Sequence, residues 1–154
     1  MSDTADKGLY LDDLYVGQEF VSGTQRLDAE EIVSFAARYD PQPFHLDDEA
    51  AKDTLFKGLA ASGWNTAATS MRLLVECAPF ADGLIGGHAD VYWPMPTRPG
   101  DVLQLTATVE EIVPSKSRPE RARVIVKSIT RNQNGETVQV MTSRLIAFRR
   151  PENR

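Results

Sequence analysis

The segment DPQPFH, residues 40 to 45, begins with an aspartate and ends with a histidine. Carboxylate and imidazole groups are the usual general acids and bases of enzymes. The two prolines disfavour helical geometry and stiffen the loop, so the ionisable groups are held at a fixed separation. Singly, Asp40 fits a turn aspartate and His45 a hydrogen-bonded structural histidine. As a pair in one stiffened loop, they predict an acid–base site.

A helix is predicted on each side of this loop. Residues 28–39 place apolar side chains at helical spacing, Asp28 can cap the first turn, and Glu31 completes the pattern of a capping box. The proline at 41 ends this helix, which puts Asp40 on the edge of the loop. A second helix is predicted over 62–77, rich in small apolar residues, as the buried central helix of the domain.

The remaining periodic segments predict β-strands. They alternate apolar and polar residues or are rich in β-branched side chains, and Asn134-Gly135 between the last two is a strong hairpin signal. The predicted fold is α+β, with an antiparallel sheet wrapped around the central helix, the last four strands forming a meander. We expect a second subunit to cover the open face or edge of this sheet. The predicted strands are 19–27, 87–93, 102–113, 122–131 and 137–148.

Composition excludes several classes of function. The chain has 154 residues, which fits one domain over 11–150 after a frayed segment over 1–10. Its net charge of −5 argues against nucleic-acid binding, and no apolar run approaches the length of a membrane span. A single cysteine, Cys77, excludes an internal disulfide and is typical of a cytoplasmic protein. With no metal-ligand spacing and no glycine-rich phosphate loop, we expect neither a metal nor another cofactor.

The loop and the segments after it resemble a known family. DPQPFH is followed by Leu46-Asp47, by AASG at 60–63, and by TRPGDVL at 97–103. This pattern is similar to that of the MaoC-like dehydratases, the hydratase-2 type of (R)-specific enoyl-CoA hydratase, which adopt the hot-dog fold. The family motif has asparagine where this chain has Gln42, and close relatives often have histidine in place of Asn65. The family also supports its aspartate with a central-helix hydroxyl, for which Thr66, Thr69 and Ser70 are available.

The resemblance implies hydration of an enoyl thioester or the reverse dehydration. Asp40 and His45 would hold one water, with Asp40 the expected proton acceptor, although the two roles can be exchanged. Gly63, together with Ser62 and Gln42, would form the oxyanion and substrate-binding set at the start of the central helix. The substrate would be an acyl-CoA or an acyl-carrier-protein thioester, bound by a homodimer or higher oligomer. The expected partners of the CoA phosphates are Lys57, Arg98, Arg118 and Arg121.

Two other functions are compatible with the same sequence. A non-catalytic acyl-thioester binding module is favoured by the Gln42 departure and opposed by the presence of both Asp40 and His45. A hot-dog thioesterase usually carries its carboxylate on the central helix, where this chain offers only Glu76, near the far end.

Overall fold

The computed structural model describes residues 8–154, which form four α-helices and five β-strands. Between residues 8 and 154, no helix is both long and apolar enough to cross a membrane. The helices are α1 (Ala29–Tyr39), α2 (Pro43–Leu46), α3 (Asp48–Ala51) and α4 (Gly63–Cys77). The strands are β1 (Glu19–Leu27), β2 (Ile85–Tyr92), β3 (Asp101–Pro114), β4 (Arg121–Arg131) and β5 (Thr137–Phe148).

The strands form one antiparallel sheet in the order β1-β3-β4-β5-β2. The predicted antiparallel sheet around a central helix is confirmed, but the predicted four-stranded meander is wrong for β2. Only β3, β4 and β5 follow one another as neighbours, whereas β2 pairs with β5 at the edge. The chain must therefore cross the sheet between β2 and β3, and it does so over residues 93–100, which we call the crossover loop.

The core lies between α4 and the concave face of the sheet. Side chains along β3 alternate between buried and more exposed, as the two-residue period of a strand requires. Leu73 and Leu74 of α4 pack in the same buried cluster as Leu105 of β3 and Val124 of β4. Burying side chains of this size stabilises the fold by roughly 1.5–3 kcal/mol each. The central helix is thereby fixed against the sheet along one face.

The loop DPQPFH contains a short helix that the sequence analysis did not predict. Asp28 caps α1 by accepting a hydrogen bond from the Glu31 backbone N–H at 3.0 Å, and α1 ends at Tyr39. Helix α2 then begins at Pro43. Proline is favoured at the first helical position, because its fixed φ suits the helix and an N–H is not required there. The prolines therefore break one helix and begin the next.

The other face of α4 is uncovered within one chain. Trp64, Met71 and Val75 are 61%, 37% and 51% exposed, and they lie along the side of the helix that faces away from the sheet. The prediction of a buried central helix thus holds for one face only. Strand β2 is an edge strand of the sheet, and nearly all of its residues are exposed.

The predicted frayed segment over 1–10 falls mostly outside the described residues. Of its last three positions, Leu9 forms a parallel bridge with Phe80, and its N–H donates to the Pro79 carbonyl at 2.7 Å. The described backbone is therefore paired before residue 11.

Candidate active site

Asp40 lies where α1 ends, with both carboxylate oxygens hydrogen-bonded. Its backbone N–H caps α1 by donating to the Ala36 carbonyl at 2.9 Å. The Ser62 hydroxyl donates to Asp40 Oδ2 at 2.7 Å, and the Gln42 amide donates to Oδ1 at 2.6 Å. The side chain is 18% exposed. The carboxylate is thus fixed by two donors while an edge of it remains accessible.

His45 lies in α2 and is directed at the same carboxylate. Its Nδ1 is 2.7 Å from the Ala60 carbonyl oxygen, and its Nε2 is 3.4 Å from Asp40 Oδ2. A carbonyl can only accept, so Nδ1 carries a proton and Nε2 is the nitrogen free to gain or lose one. The ring is buried beside Phe44 and Phe56, at centroid distances of 4.6 and 5.8 Å.

The pKa of Asp40 lies below its ordinary value, although burial acts in the opposite direction. Burial is the largest single influence on this pKa and raises it, because it penalises the charged form. The hydrogen bonds from Ser62 and Gln42 act against burial, and a positive charge on His45, when the ring is protonated, lowers the pKa further. Asp40 is therefore ionised near neutral pH and held in that form mainly by neutral donors.

Ser62 is the hydroxyl that supports the aspartate. It was expected in the substrate-binding set, whereas Thr66, Thr69 and Ser70 were the expected support. The structure instead pairs Thr66 with Thr97 at 3.0 Å and Ser70 with Thr130 at 2.7 Å. The completely buried Ser62 also caps α4 by accepting from the Trp64 N–H at 3.2 Å. One serine thus joins the acid to the start of the central helix.

Gly63 is the first residue of α4 and lines the pocket beside His45. The next N–H groups of the helix, those of Trp64, Asn65 and Thr66, are bound by Ser62. Among the described residues the Gly63 N–H has no such partner, as expected for the first turn of a helix. The positive end of the helix dipole lies at the same place, so this N–H is suited to a developing negative charge.

The absence of a side chain at position 63 makes room for a neighbouring side chain. A Cβ built on Gly63 would lie 2.7 Å from Cε2 of Trp93, closer than real Cβ contacts come. The expectation that a substrate approaches the bare glycine is thus incomplete, because an indole ring already packs against one side of it. Trp93 was not predicted to be near the site, and no local sequence signal indicates it.

A pocket of about 310 Å³ opens between this helix end and the crossover loop. The loop is tied to the site where the Ala61 N–H donates to the Thr97 carbonyl at 2.9 Å. His45, Gly63 and Thr66 form its polar side. Its apolar side consists of Phe56, Ala61, Trp93, Pro94, Met95 and Pro96. The arrangement can hold a small polar molecule beside His45 and an apolar group against the loop.

Of the four cations predicted to meet phosphates, Lys57 and Arg98 lie near this pocket. Lys57 is exposed and follows Phe56, which lines the pocket. Arg98 donates its guanidinium hydrogens to the backbone carbonyls of Phe56, Gly58 and Leu59. It holds the preceding loop, so Lys57 is the better placed of the two to meet a ligand.

The other two predicted cations lie far from the pocket of their own chain. Arg121 begins β4, whereas Thr130, near the end of that strand, is bonded to Ser70 of α4. At about 3.3 Å per residue, these strand positions are about 30 Å apart. Arg118 lies in the turn before β4, where its backbone carbonyl accepts a hydrogen bond from the Arg121 N–H at 3.1 Å. Neither arginine reaches the Asp40–His45 pair within one chain.

The second histidine of the chain, His88, does not join the site, and neither do Cys77 and Glu76. His88 is exposed on β2, 3.4 Å from Asp90, and Cys77 is half-buried near the end of α4, where burial raises the pKa of its thiol. Glu76 is exposed and ion-paired with Arg72 at 3.0 Å. Over residues 8–154, no three His, Cys, Asp or Glu side chains converge as metal ligands would.

Comparison with known proteins places this site in context. Residues 15–132 match the family model described as "MaoC like domain". The chain is 32% identical over 125 residues to YdeM of Bacillus subtilis (strain 168), an uncharacterized protein; the match covers 80% of this chain and 87% of YdeM.

Solved structures agree with the family match. A MaoC-like dehydratase from Rhodospirillum rubrum is 56% identical with a TM-score of 0.92, over 94% of this chain and 99% of that one. The unliganded R-hydratase PhaJ1 from Pseudomonas aeruginosa is 26% identical with a TM-score of 0.74, over 93% and 88% of the two chains.

Proposed function

Because this chain belongs to the MaoC-like domain family and has the hot-dog fold, we propose that it is a hydratase or dehydratase of acyl thioesters. The reaction adds water to an α,β-unsaturated (enoyl) thioester to give the 3-hydroxyacyl thioester, or removes it in reverse. CoA is the expected carrier, with an acyl-carrier protein as the alternative. The observation that carries the proposal is the 3.4 Å approach of His45 Nε2 to Asp40 Oδ2, beside the Gly63 N–H.

The protonation state of His45 defines where the water binds. With the Nδ1 proton donated to Ala60, neutral His45 presents a lone pair on Nε2. Asp40, when ionised, presents carboxylate lone pairs 3.4 Å away. Two acceptors facing each other call for a molecule with two O–H donors between or beside them. A single water satisfies both and turns its own lone pair toward the substrate.

Hydration then needs one proton transfer out and one back. As the water oxygen bonds to C3 of the enoyl group, one O–H bond breaks and its proton passes to Asp40. The electron pair of the C2–C3 double bond moves toward the thioester oxygen, which accepts a hydrogen bond from the Gly63 N–H. Fixed donors of this kind typically contribute a few kcal/mol. Asp40 returns the proton to C2, and His45 orients the water throughout.

The low pKa of Asp40 favours the second half of this cycle, the return of the proton. A carboxylate with a depressed pKa is a weak base in its resting state and, once protonated, a strong acid that readily returns the proton to C2. The hydrogen bonds from Ser62 and Gln42 produce this depression and fix the carboxylate at the same time. A thioesterase is not favoured, because Glu76 lies exposed and paired with Arg72.

The catalytic unit we propose is a homodimer. Strand β2 leaves one edge of the sheet unpaired, and the apolar stripe of Trp64, Met71 and Val75 on α4 lies uncovered. Unpaired strand edges and exposed apolar stripes are typical of subunit interfaces. A second copy related by a two-fold axis would cover both. The cytoplasm remains the proposed location, because the chain has a single cysteine.

The experiment is hydration of trans-2-enoyl-CoA by the purified protein, followed as loss of enoyl absorbance. We expect turnover without added metal or nucleotide. Asp40→Asn and His45→Ala should each lower kcat/KM by roughly 10²–10⁴-fold, the usual contribution of an acid–base group. Asp47→Asn, which alters a carboxylate that caps α3, is the matched control and should retain activity.

The outcome also separates the two classes of function. A protein that binds a broad panel of enoyl thioesters and hydrates none of them would be a non-catalytic binding module. Turnover at the wild-type rate in Asp40→Asn or His45→Ala would remove that residue from the mechanism.

A further inference from the structure

Trp93 is the side chain that most closely approaches the proposed oxyanion site. It follows β2 as the first residue of the crossover loop, and its six-membered ring lies on Gly63, with Cε2, Cδ2 and Cζ2 all within 2.8 Å of where a Cβ would be. The same ring lines the pocket that holds His45. An acyl group whose thioester oxygen meets the Gly63 N–H therefore has this indole as an immediate neighbour.

The indole is held in place by a partly buried hydrogen bond. Trp93 Nε1–H donates to Oε1 of Gln139 at 2.9 Å, and Gln139 on β5 is completely buried. The edge of the ring also meets Trp64 at a centroid distance of 5.3 Å and an interplanar angle of 84°. If the ring moved away, Gln139 Oε1 would be left without this donor, and its Nε2 already has no partner among the described residues. Unpaired buried polar groups are unfavourable, so the ring behaves as a fixed wall.

The space in front of this wall is small. The pocket of about 310 Å³ is at the lower end of the range of about 300–1,000 Å³ that is usual for small-molecule sites. The carbonyl carbon, oxygen and sulfur of the thioester take up part of this volume. The rest has to hold the remainder of the acyl chain and the first atoms of the carrier arm.

From this geometry we propose that Trp93 is a specificity-determining residue that limits the acyl group to a short chain, with Gln139 as the positioning residue that fixes its ring. The inference rests on the proposed function, since it assumes that the pocket receives an acyl thioester. The proposal explains why position 63 is a glycine, since both the ligand and the indole ring approach its backbone.

The test compares straight-chain trans-2-enoyl-CoA substrates from four to twelve carbons. For the wild type, kcat/KM should fall at least tenfold between six and ten carbons. Trp93→Ala removes the wall, and each extra methylene that becomes buried should then gain about fourfold. The ratio of kcat/KM for eight carbons to that for four should therefore rise at least tenfold. Tyr92→Ala, an aromatic truncation at the preceding, exposed position that does not line the pocket, should keep the wild-type ratio.

Two further measurements keep the test decisive. Trp93→Leu retains an apolar side chain, and its shift should be in the same direction and smaller, which covers the case in which Trp93→Ala does not fold. Calorimetric binding of saturated butanoyl-CoA and decanoyl-CoA follows chain length without turnover. If no enoyl-CoA is hydrated but Trp93→Ala still gains affinity for decanoyl-CoA, the proposed function is wrong and the role of Trp93 in limiting chain length is supported. A wild type that accepts ten carbons as well as four, or variants with the wild-type length profile in both assays, would overturn the role of Trp93.

Discussion

Removal of the Ser62 hydroxyl tests the environment that the structure gives to Asp40. Ser62→Ala deletes the hydrogen bond to Asp40 Oδ2 and the cap on the Trp64 N–H. A hydrogen bond to a charged group is worth about 1.5–3 kcal/mol, and an N-cap typically about 1 kcal/mol. Because both are lost at a completely buried position, we expect the free energy of unfolding at pH 7 to fall by about 2–4 kcal/mol. For a domain of this size, that lowers Tm by roughly 5–15 °C.

The pH dependence of the lost free energy of unfolding distinguishes the hydrogen bond to the charged Asp40 from the helix cap. The folded-state pKa of Asp40 is depressed, so its stabilisation is fully present above the ordinary value of 3.8 and is lost as pH falls through the folded pKa. The difference in free energy of unfolding between wild type and Ser62→Ala should therefore be constant from pH 8 to about pH 5. It should become smaller at lower pH, as Asp40 becomes protonated. In the variant, the Ser62 hydrogen bond no longer opposes the effect of burial, so the pKa of Asp40 rises. The acidic limb of the kcat/KM profile therefore moves to higher pH.

Ser70→Ala is the matched control for this experiment. Ser70 is equally buried on the same helix, and its hydroxyl pairs with the neutral Thr130 at 2.7 Å. Its loss should lower stability by about 1 kcal/mol at every pH, without moving the acidic limb. Urea denaturation at several pH values and the kcat/KM profile measure both effects. If Ser62→Ala and Ser70→Ala show the same pH dependence, the hydrogen bond to Asp40 is not what depresses its pKa.

Two other predictions concern the carrier and the subunits. Lys57→Glu should raise KM for CoA substrates several-fold at low salt and less at high salt, with kcat little changed. The control is Lys52→Glu, which should have no such effect because the native Lys52 is already paired with Glu49. Equal effects of the two variants would mean that the CoA arm leaves elsewhere. Sedimentation at micromolar concentration should give at least twice the chain mass of 17.1 kDa, and Met71→Glu should shift the protein toward the monomer while Arg72→Ala does not. A wild-type monomer at that concentration would contradict the dimer.

The elements could be predicted from the sequence because their signals are local. Helix α1 begins within one residue of the predicted start and ends as predicted, since Asp28 caps it and Pro41 disfavours its continuation. The position of β2 could not be predicted in this way. Alternation shows that a segment is a strand, but the choice of neighbour depends on which edge the chain can reach after the crossover loop has passed the start of α4.

In the site, too, the predicted part follows from local sequence, and the unpredicted part depends on contacts between distant parts of the chain. Asp40 and His45 lie in one short stiffened loop, so their proximity follows from the local sequence. The supporting hydroxyl could not be chosen, because Thr66 and Ser70 are also buried on α4 and only the packing of the end of α1 decides which one meets the carboxylate. Trp93 is brought to Gly63 by the crossover loop, across a distance that no short motif encodes.

The hydrogen bonds around Asp40 also bear on the alternative of a non-catalytic binding module. That alternative rested on the glutamine at position 42, yet the Gln42 amide reaches Asp40 Oδ1 at 2.6 Å and braces the carboxylate. A largely buried carboxylate is unfavourable unless donors replace its lost water, and a module that only binds a neutral thioester gains nothing from the charge. Here the charge is retained, held by two donors, and directed at the one free nitrogen of His45. This arrangement favours a group that takes up and releases a proton during a reaction over one that only fills space beside a ligand.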